Sequence, residues 1–239
     1  MKAVFAFAAI AVLAVPAASA PVRHRGVPVH HTVSAARDWT QVVVATPQGG
    51  FRMGNPNARV KLVEYGSLSC PYCKSFDQEG VPILRDKYVK SGKVSWEYRT
   101  YLNHPTDPAV SVLVHCQGPA KFFATADQLY ATQEQWYGRL VAARAQYEKL
   151  LNLPVTTRNA EIARITGLDR FFEQRGMPSS KVRACLADKA RLDQLAAIVQ
   201  LANRDGLTGT PNFLINGKLV ADVGDWKALE PLIRTAAGG

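Results

Sequence analysis

Cys70 and Cys73 stand three residues apart and enclose Pro71 and Tyr72 at the start of a predicted helix. Only four cysteines occur in 239 residues, so a C-x-x-C pair is an informative coincidence. A sulfur in the first turn of a helix faces unpaired backbone N–H groups and the positive end of the dipole, and both favour thiolate. Cys73 lies one turn on, on the same face and within bridging reach. One exposed, low-pKa sulfur at Cys70 beside one buried partner is what thiol–disulfide exchange requires. Two plainer readings stay open, a static disulfide and half of a zinc site, although no second C-x-x-C exists to complete the latter. Glu64 lies six residues before Cys70 in an otherwise apolar strand, where an acid is costly unless it has a task or a partner. It is either a buried base that takes or returns the proton of Cys73, or a strand-end acid paired with a lysine.

The elements that must position these groups are legible around them. Residues 60–65 are rich in β-branched and aromatic side chains and predict a strand. A polar loop at 66–69 leads into a helix from Cys70 to about Lys90, bent at Pro82, with Phe76, Ile83, Leu84 and Tyr88 on its apolar face. Residues 93–102 alternate, with Val94, Trp96, Tyr98 and Leu102 on one face and Lys93, Ser95, Glu97 and Arg99 on the other. Together they make a βαβ unit. A short strand at 41–45 precedes it, and glycines 49, 50 and 54 with Pro56 mark a turn. From 105 to 206 the pattern is helical throughout. Asp107 serves as an N-cap before Pro108, Gly118-Pro119 ends that helix, and a long helix runs from about Ser179 to Gly206. Residues 213–220 read as a hairpin on the Asn216-Gly217 turn, and Asp225 caps a last helix.

Cys70-Pro71-Tyr72-Cys73 opening a helix, the upstream Glu64, and Gly209-Thr210-Pro211-Asn212-Phe213 before a hairpin resemble the DsbA-like branch of the thioredoxin superfamily. The resemblance covers about residues 39–237. It implies an α/β thioredoxin fold, βαβ then ββα, in residues 39–104 and 207–239, interrupted by an all-helical insertion domain at 105–206. It further implies that Pro211 is cis and lies against the active-site disulfide, that the Thr210 backbone pairs with bound substrate, and that Glu64 is the buried acid near the second cysteine. Cys70, Cys73, Glu64 and Pro211 are then the catalytic set, with Thr210, Pro71 and Tyr72 contacting substrate. No organic cofactor is required, because the Cys70–Cys73 disulfide is itself the redox group. The sequence departs from DsbA itself at Tyr72, where DsbA has His, and at Thr210, where it has Val. Threonine there is the residue of DsbC-type isomerases and of ScsC, so an isomerase or reductase stands as the alternative to an oxidase.

The remaining features bound the setting. Residues 1–20 carry Lys2, an apolar run at 4–15 and Ala18-Ser19-Ala20, a cleavable export signal, and the run is too short to span a bilayer. Residues 21–38 read as a flexible leader, in which His24, His30 and His31 are solvated, although a copper-handling module built on them and the two cysteines is a third reading. The net charge of +10 is scattered without a basic run, which argues against nucleic acid as a partner. The expected setting is the periplasm and the expected partners are reduced client proteins and a quinone-linked membrane oxidant, met by a monomeric enzyme. In an exported chain Cys116 and Cys185, on separate predicted helices, are expected to form a structural disulfide. His115 is read as helix surface and no resident metal is expected.

Overall fold

The computed structural model describes Met1 and residues 37–238; the expected export signal, and the leader with its three histidines, lie outside the described residues except at Arg37 and Asp38. Those two are already engaged. The Asp38 carboxylate accepts the Thr40 N–H at 3.0 Å and caps a 3-10 turn at Trp39–Gln41, and the Arg37 guanidinium lies 4.4 Å from the Trp39 ring centre. Two residues assigned by composition to the leader therefore belong to the fold.

The sheet has six strands: β1 (Val43–Ala45), β2 (Phe51–Gly54), β3 (Val60–Gly66), β4 (Val94–Thr100), β5 (Asn212–Ile215) and β6 (Lys218–Val220), in the order β1-β2-β4-β3-β5-β6. Only β3 and β4 are parallel, from Val60 opposite Val94 to Gly66 opposite Thr100. β5 runs antiparallel to β3, with Leu62 opposite Ile215, and so brings the chain after Pro211 beside the end of β3. Strand β2 is a correction, since the glycines around it predict a turn. Its alternation is only four residues long and hidden between Gly50 and Gly54, yet Phe51 and Met53 are buried and pair with β1 and β4. The expected polar face of β4 is also covered. Ser95 and Glu97 are buried, because β4 is a central strand and the helix Lys189–Arg204 packs across it.

Helix α1 (Pro71–Glu79) begins at the cysteine pair and stops at Gly80, where an added Cβ would lie 2.8 Å from the Trp226 Cβ. A short α2 (Val81–Ile83) carries Pro82 and runs on into a π-helical segment, Leu84–Val89. The widened turns face Val81, Leu84, Tyr88 and Val89 inward and leave Ile83 exposed, which removes Ile83 from the apolar face assigned by regular periodicity.

Eight helices intervene between β4 and β5: α3 (Asp107–Cys116), α4 (Pro119–Ala131), α5 (Gln133–Ala142), α6 (Arg144–Leu150), α7 (Val155–Thr166), α8 (Leu168–Glu173), α9 (Ser179–Leu186) and α10 (Lys189–Arg204). The single helix expected over 179–206 is thus two. Asp188 adopts an extended conformation and its carboxylate accepts the Arg191 N–H at 3.0 Å, starting α10 anew. Asp107 is likewise not the cap but the first residue of α3, after Thr106, and its side chain is turned to another task. The final helix α11 (Trp226–Ala237) is capped by Asp225, which accepts the Ala228 N–H at 2.8 Å. Sheet and helices lie in one compact unit.

His115 is not on the surface. It is buried on α3, with Nε2 2.8 Å from the Thr100 hydroxyl and its ring edge-on to Phe51 and Phe122, and burial holds it neutral down to about 3. Its neighbour Cys116 is bridged to Cys185 on α9, with Cα atoms 6.1 Å apart and a sequence separation of 69. Closing so long a loop restricts the unfolded chain. Replacing both cysteines by serine should therefore lower the unfolding free energy by roughly 2–4 kcal/mol in urea titration while the Cys70–Cys73 pair still exchanges. Intact mass after alkylation without reductant checks the bridge itself, and labels on Cys116 and Cys185 would contradict it.

Candidate active site

Strand β3 delivers Glu64 near its end, and the loop beyond it turns back so that the Cys70 N–H donates to the Ser67 carbonyl at 3.1 Å. Cys70 is then the N-cap of α1, with Pro71 as the first helical residue, where the missing N–H costs nothing. Both cysteines are thiols. Cys73 is wholly enclosed, as its place inside the first turn requires.

Cys70 departs from expectation in its access. Only 3% of the residue is exposed, because two elements close over it. On one side the loop before β5 brings the Thr210 carbonyl 3.3 Å from Sγ, with the Thr210–Pro211 bond cis and the Asn212 side chain tying Gly209 at 2.8 Å. On the other, Gln133 at the start of α5 donates Nε2 to the Leu68 and Cys70 carbonyls at 2.8 and 3.0 Å. The exposed member of the motif is Tyr72, 71% accessible, with Pro71 beside it.

The two sulfurs titrate in opposite directions. Cys70 is drawn down to about 5, first by a hydrogen bond from the Cys73 thiol, against the cost of burial, and further by the Thr210 side chain and the N–H groups of Cys73 and Tyr72. Burial pushes Cys73 well above the ordinary thiol range, and the neighbouring Cys70 and Glu64 add to it; the Ser67 N–H, 3.5 Å from Sγ, opposes. Glu64, 2% exposed, is raised to about 8 by burial and by Asp77, with the Trp96 indole N–H donating to it at 3.0 Å. Its partner is thus an indole and not a lysine. Asp77, in turn, is raised to about 7 by burial and by Asp127, which Arg85 grips at 2.6 and 2.8 Å.

Ser67, Asp107, Tyr130 and Gln133 support this arrangement, and none is identifiable from the sequence, because the partners meet across 40 to 65 positions. The one available signal is the density of polar residues in 66–69, a loop that must be buried to reach the sulfurs. Among the described residues no group of three or more His, Cys, Asp or Glu stands together as a metal site.

Residues 46–235 match the family model described as Thioredoxin. A crystal structure of a protein-disulfide isomerase from Novosphingobium aromaticivorans is 34% identical, superposes with a TM-score of 0.76, and spans 79% of this chain and 97% of its own. Wolbachia pipientis alpha-DsbA1 shares the fold at 20% identity, a TM-score of 0.64, and 82% and 94% coverage of the two chains. A Rickettsia prowazekii protein whose name carries the words protein-disulfide oxidoreductase is 25% identical over 74% of this chain. The chain spans 58% of that relative's length.

The pKa of Cys70 is lower in the native than in the unfolded chain, so its thiolate adds stability that is complete above about 8.5 and is lost as pH falls through about 5. Glu64 acts oppositely, its raised pKa removing stability from about 4.5 up to about 8, but equally in any cysteine variant. Reduced wild type should therefore gain on Cys70→Ser as pH rises from 5, by roughly 2–3 kcal/mol at pH 7. Thiolate absorbance should show one sulfur titrating near 5. A stability difference that does not vary with pH would contradict this assignment.

Proposed function

That this chain belongs to the thioredoxin family is the premise from which we propose that it is a DsbA-like, exported protein-disulfide oxidoreductase that donates the Cys70–Cys73 disulfide to reduced client proteins. The observation that carries the reading is the placement of the two sulfurs, Cys70 at the start of α1 and 3.3 Å from the Thr210 carbonyl, Cys73 enclosed behind it; Cys70 is drawn down and Cys73 pushed up accordingly. A client thiolate attacks Cys70 Sγ, forming a client–Cys70 disulfide as the Cys70–Cys73 bond breaks and its electron pair leaves on Cys73. A second client thiolate attacks the client sulfur of that mixed disulfide, the client disulfide closes, and Cys70 departs as a thiolate. Because the departing thiolate is the stabilised one, the reduced enzyme is favoured and the oxidised enzyme is an oxidant.

Glu64 acts on Cys73 and not on Cys70. It holds a proton at neutral pH, so it can protonate the departing Cys73 thiolate and take that proton back on re-oxidation. The Thr210 carbonyl, 3.3 Å from Cys70 Sγ, is the backbone acceptor beside which an extended client segment lies, and exposed Tyr72 and Pro71 border it. Re-oxidation by a quinone-linked membrane protein and residence in the periplasm complete the reading. The Cys116–Cys185 bridge fits an oxidising compartment.

A second reading, disulfide isomerase, is favoured by Thr210 and by the likeness to the Novosphingobium protein, which is named as an isomerase. Recovery of scrambled, fully oxidised clients separates the two, because an isomerase must attack from its reduced form and restore native pairing, whereas an oxidase acts only on reduced clients. Thr210→Val is nearly isosteric and removes only the hydroxyl beside the sulfur, so it should shift the potential and the balance between oxidising reduced clients and reshuffling scrambled ones, with little change in unfolding midpoint. An unchanged potential and client balance would remove Thr210 from the site.

Cys73→Ala should accumulate mixed disulfides through Cys70 on incubation with reduced client, read by mass, whereas Cys70→Ser should abolish exchange. Equal trapping through Cys73 in a Cys70→Ala variant would reverse the roles of the two sulfurs.

A further inference from the structure

Opening the Cys70–Cys73 bond leaves a negative charge on the sulfur least suited to hold one. Cys73 is fully enclosed, its pKa is raised, and its neighbours Glu64 and Cys70 are acidic groups. A charge developing there needs a fixed donor. The N–H that faces Cys73 Sγ belongs to Ser67, at 3.5 Å, a residue with no exposed surface.

Ser67 lies just past the last rung of the sheet, where the Tyr101 N–H donates to the Gly66 carbonyl at 2.8 Å. A loop residue in that place would ordinarily be free to turn. Here it is pinned twice from the helical insertion. Its hydroxyl donates to the Asp107 carboxylate at 2.9 Å, and the same carboxylate accepts the N–H groups of Asn103 and His104 at 2.7 and 2.6 Å. Its carbonyl accepts the Tyr130 hydroxyl at 3.2 Å, and that hydroxyl is 2.9 Å from the hydroxyl of Tyr98. Tyr98 reaches this point only because residue 66 is glycine, since an added Cβ would lie 2.7 Å from its oxygen. Asp107 and Tyr130 are fully buried or nearly so, and leaving either in the core without its partners would be costly.

We propose that the Ser67 N–H receives the Cys73 thiolate as the Cys70–Cys73 bond opens, and that Tyr130 and Asp107 are positioning residues by which the helical insertion holds that donor in place. The inference rests on the disulfide-exchange reading above. In the step itself a thiolate outside the protein bonds to Cys70 Sγ, the electron pair of the Cys70–Cys73 bond leaves on Cys73, and the Ser67 N–H donates to that sulfur until it is protonated. The insertion is therefore part of the chemistry of the resolving sulfur, as well as a cover over the nucleophilic one.

Oxidised full-length wild type, Ser67→Ala and Tyr130→Phe are each mixed with excess reduced glutathione, and opening of the disulfide is followed by tryptophan fluorescence and mass. Each variant should open at least about tenfold more slowly than wild type, less than the loss of an oxyanion-hole donor because sulfur is larger and the contact longer. The titration midpoint of reduced Cys70 and its alkylation rate should stay at wild-type values, a split that general loosening of the site would not produce. Opening at the wild-type rate in the folded variants, or a Cys70 midpoint that moves with the rate, overturns the proposal. Should Tyr130→Phe fail to fold, Ser67→Ala decides. A wild type that does not open with glutathione at all refutes the exchange reading itself.

Discussion

The closeness of an enclosed thiol, Cys73, to a sulfur placed at the start of a helix, Cys70, sets the terms for everything around it. Cys70 is drawn towards thiolate while Cys73 is held as a thiol, at a separation of one helical turn. Burial supplies the difference on one side and the start of α1 supplies it on the other. Glu64 must then sit close without being charged, which its enclosure beneath the sheet ensures. The parallel pairing of β3 with β4 and the antiparallel return of β5 are the least arrangement that brings Glu64, the helix start and the Thr210 carbonyl to one point.

The site is assembled against its own stability. Between pH 5 and 8 the folded chain gains from the Cys70 thiolate while it loses from the enclosed Glu64, and the two trends offset. The Thr210 hydroxyl is buried without a nitrogen or oxygen partner, and its side chain serves instead to lower Cys70. Such losses are tolerable because the surroundings are dense. Residues Ala109, Val110, Val112, Leu113 and Val114 of α3 have no exposed surface, and the same helix is covalently tied to α9.

What could be read from the sequence was what local spacing encodes. The Cys70–Cys73 pair opens a helix, Glu64 interrupts an apolar strand, and Asn216-Gly217 makes its hairpin turn with both residues at positive φ. The errors arise where a residue answers to a partner elsewhere. Asp107 has the sequence signature of a cap, but its carboxylate is claimed by Ser67, 40 positions away. His115 looks like helix surface until Phe51 and Phe122 enclose it, and Phe51 belongs to a strand obscured by flanking glycines. Cys70 has the pKa its position foretells but not the accessibility, because the residues that close over it, Thr210 and Gln133, come from beyond the βαβ unit.

Both margins of the sheet are short. β1 and β6 have three residues each, and β6 begins with an exposed lysine. Each presents too few free rungs for a neighbouring chain to add a strand, and the charge discourages the attempt. The disulfide-exchange function proposed above would bring the protein extended client segments ready to pair with any open edge. On the proposed function, blunt margins leave the loop at Thr210 as the place for such pairing and keep the sheet itself from templating aggregation.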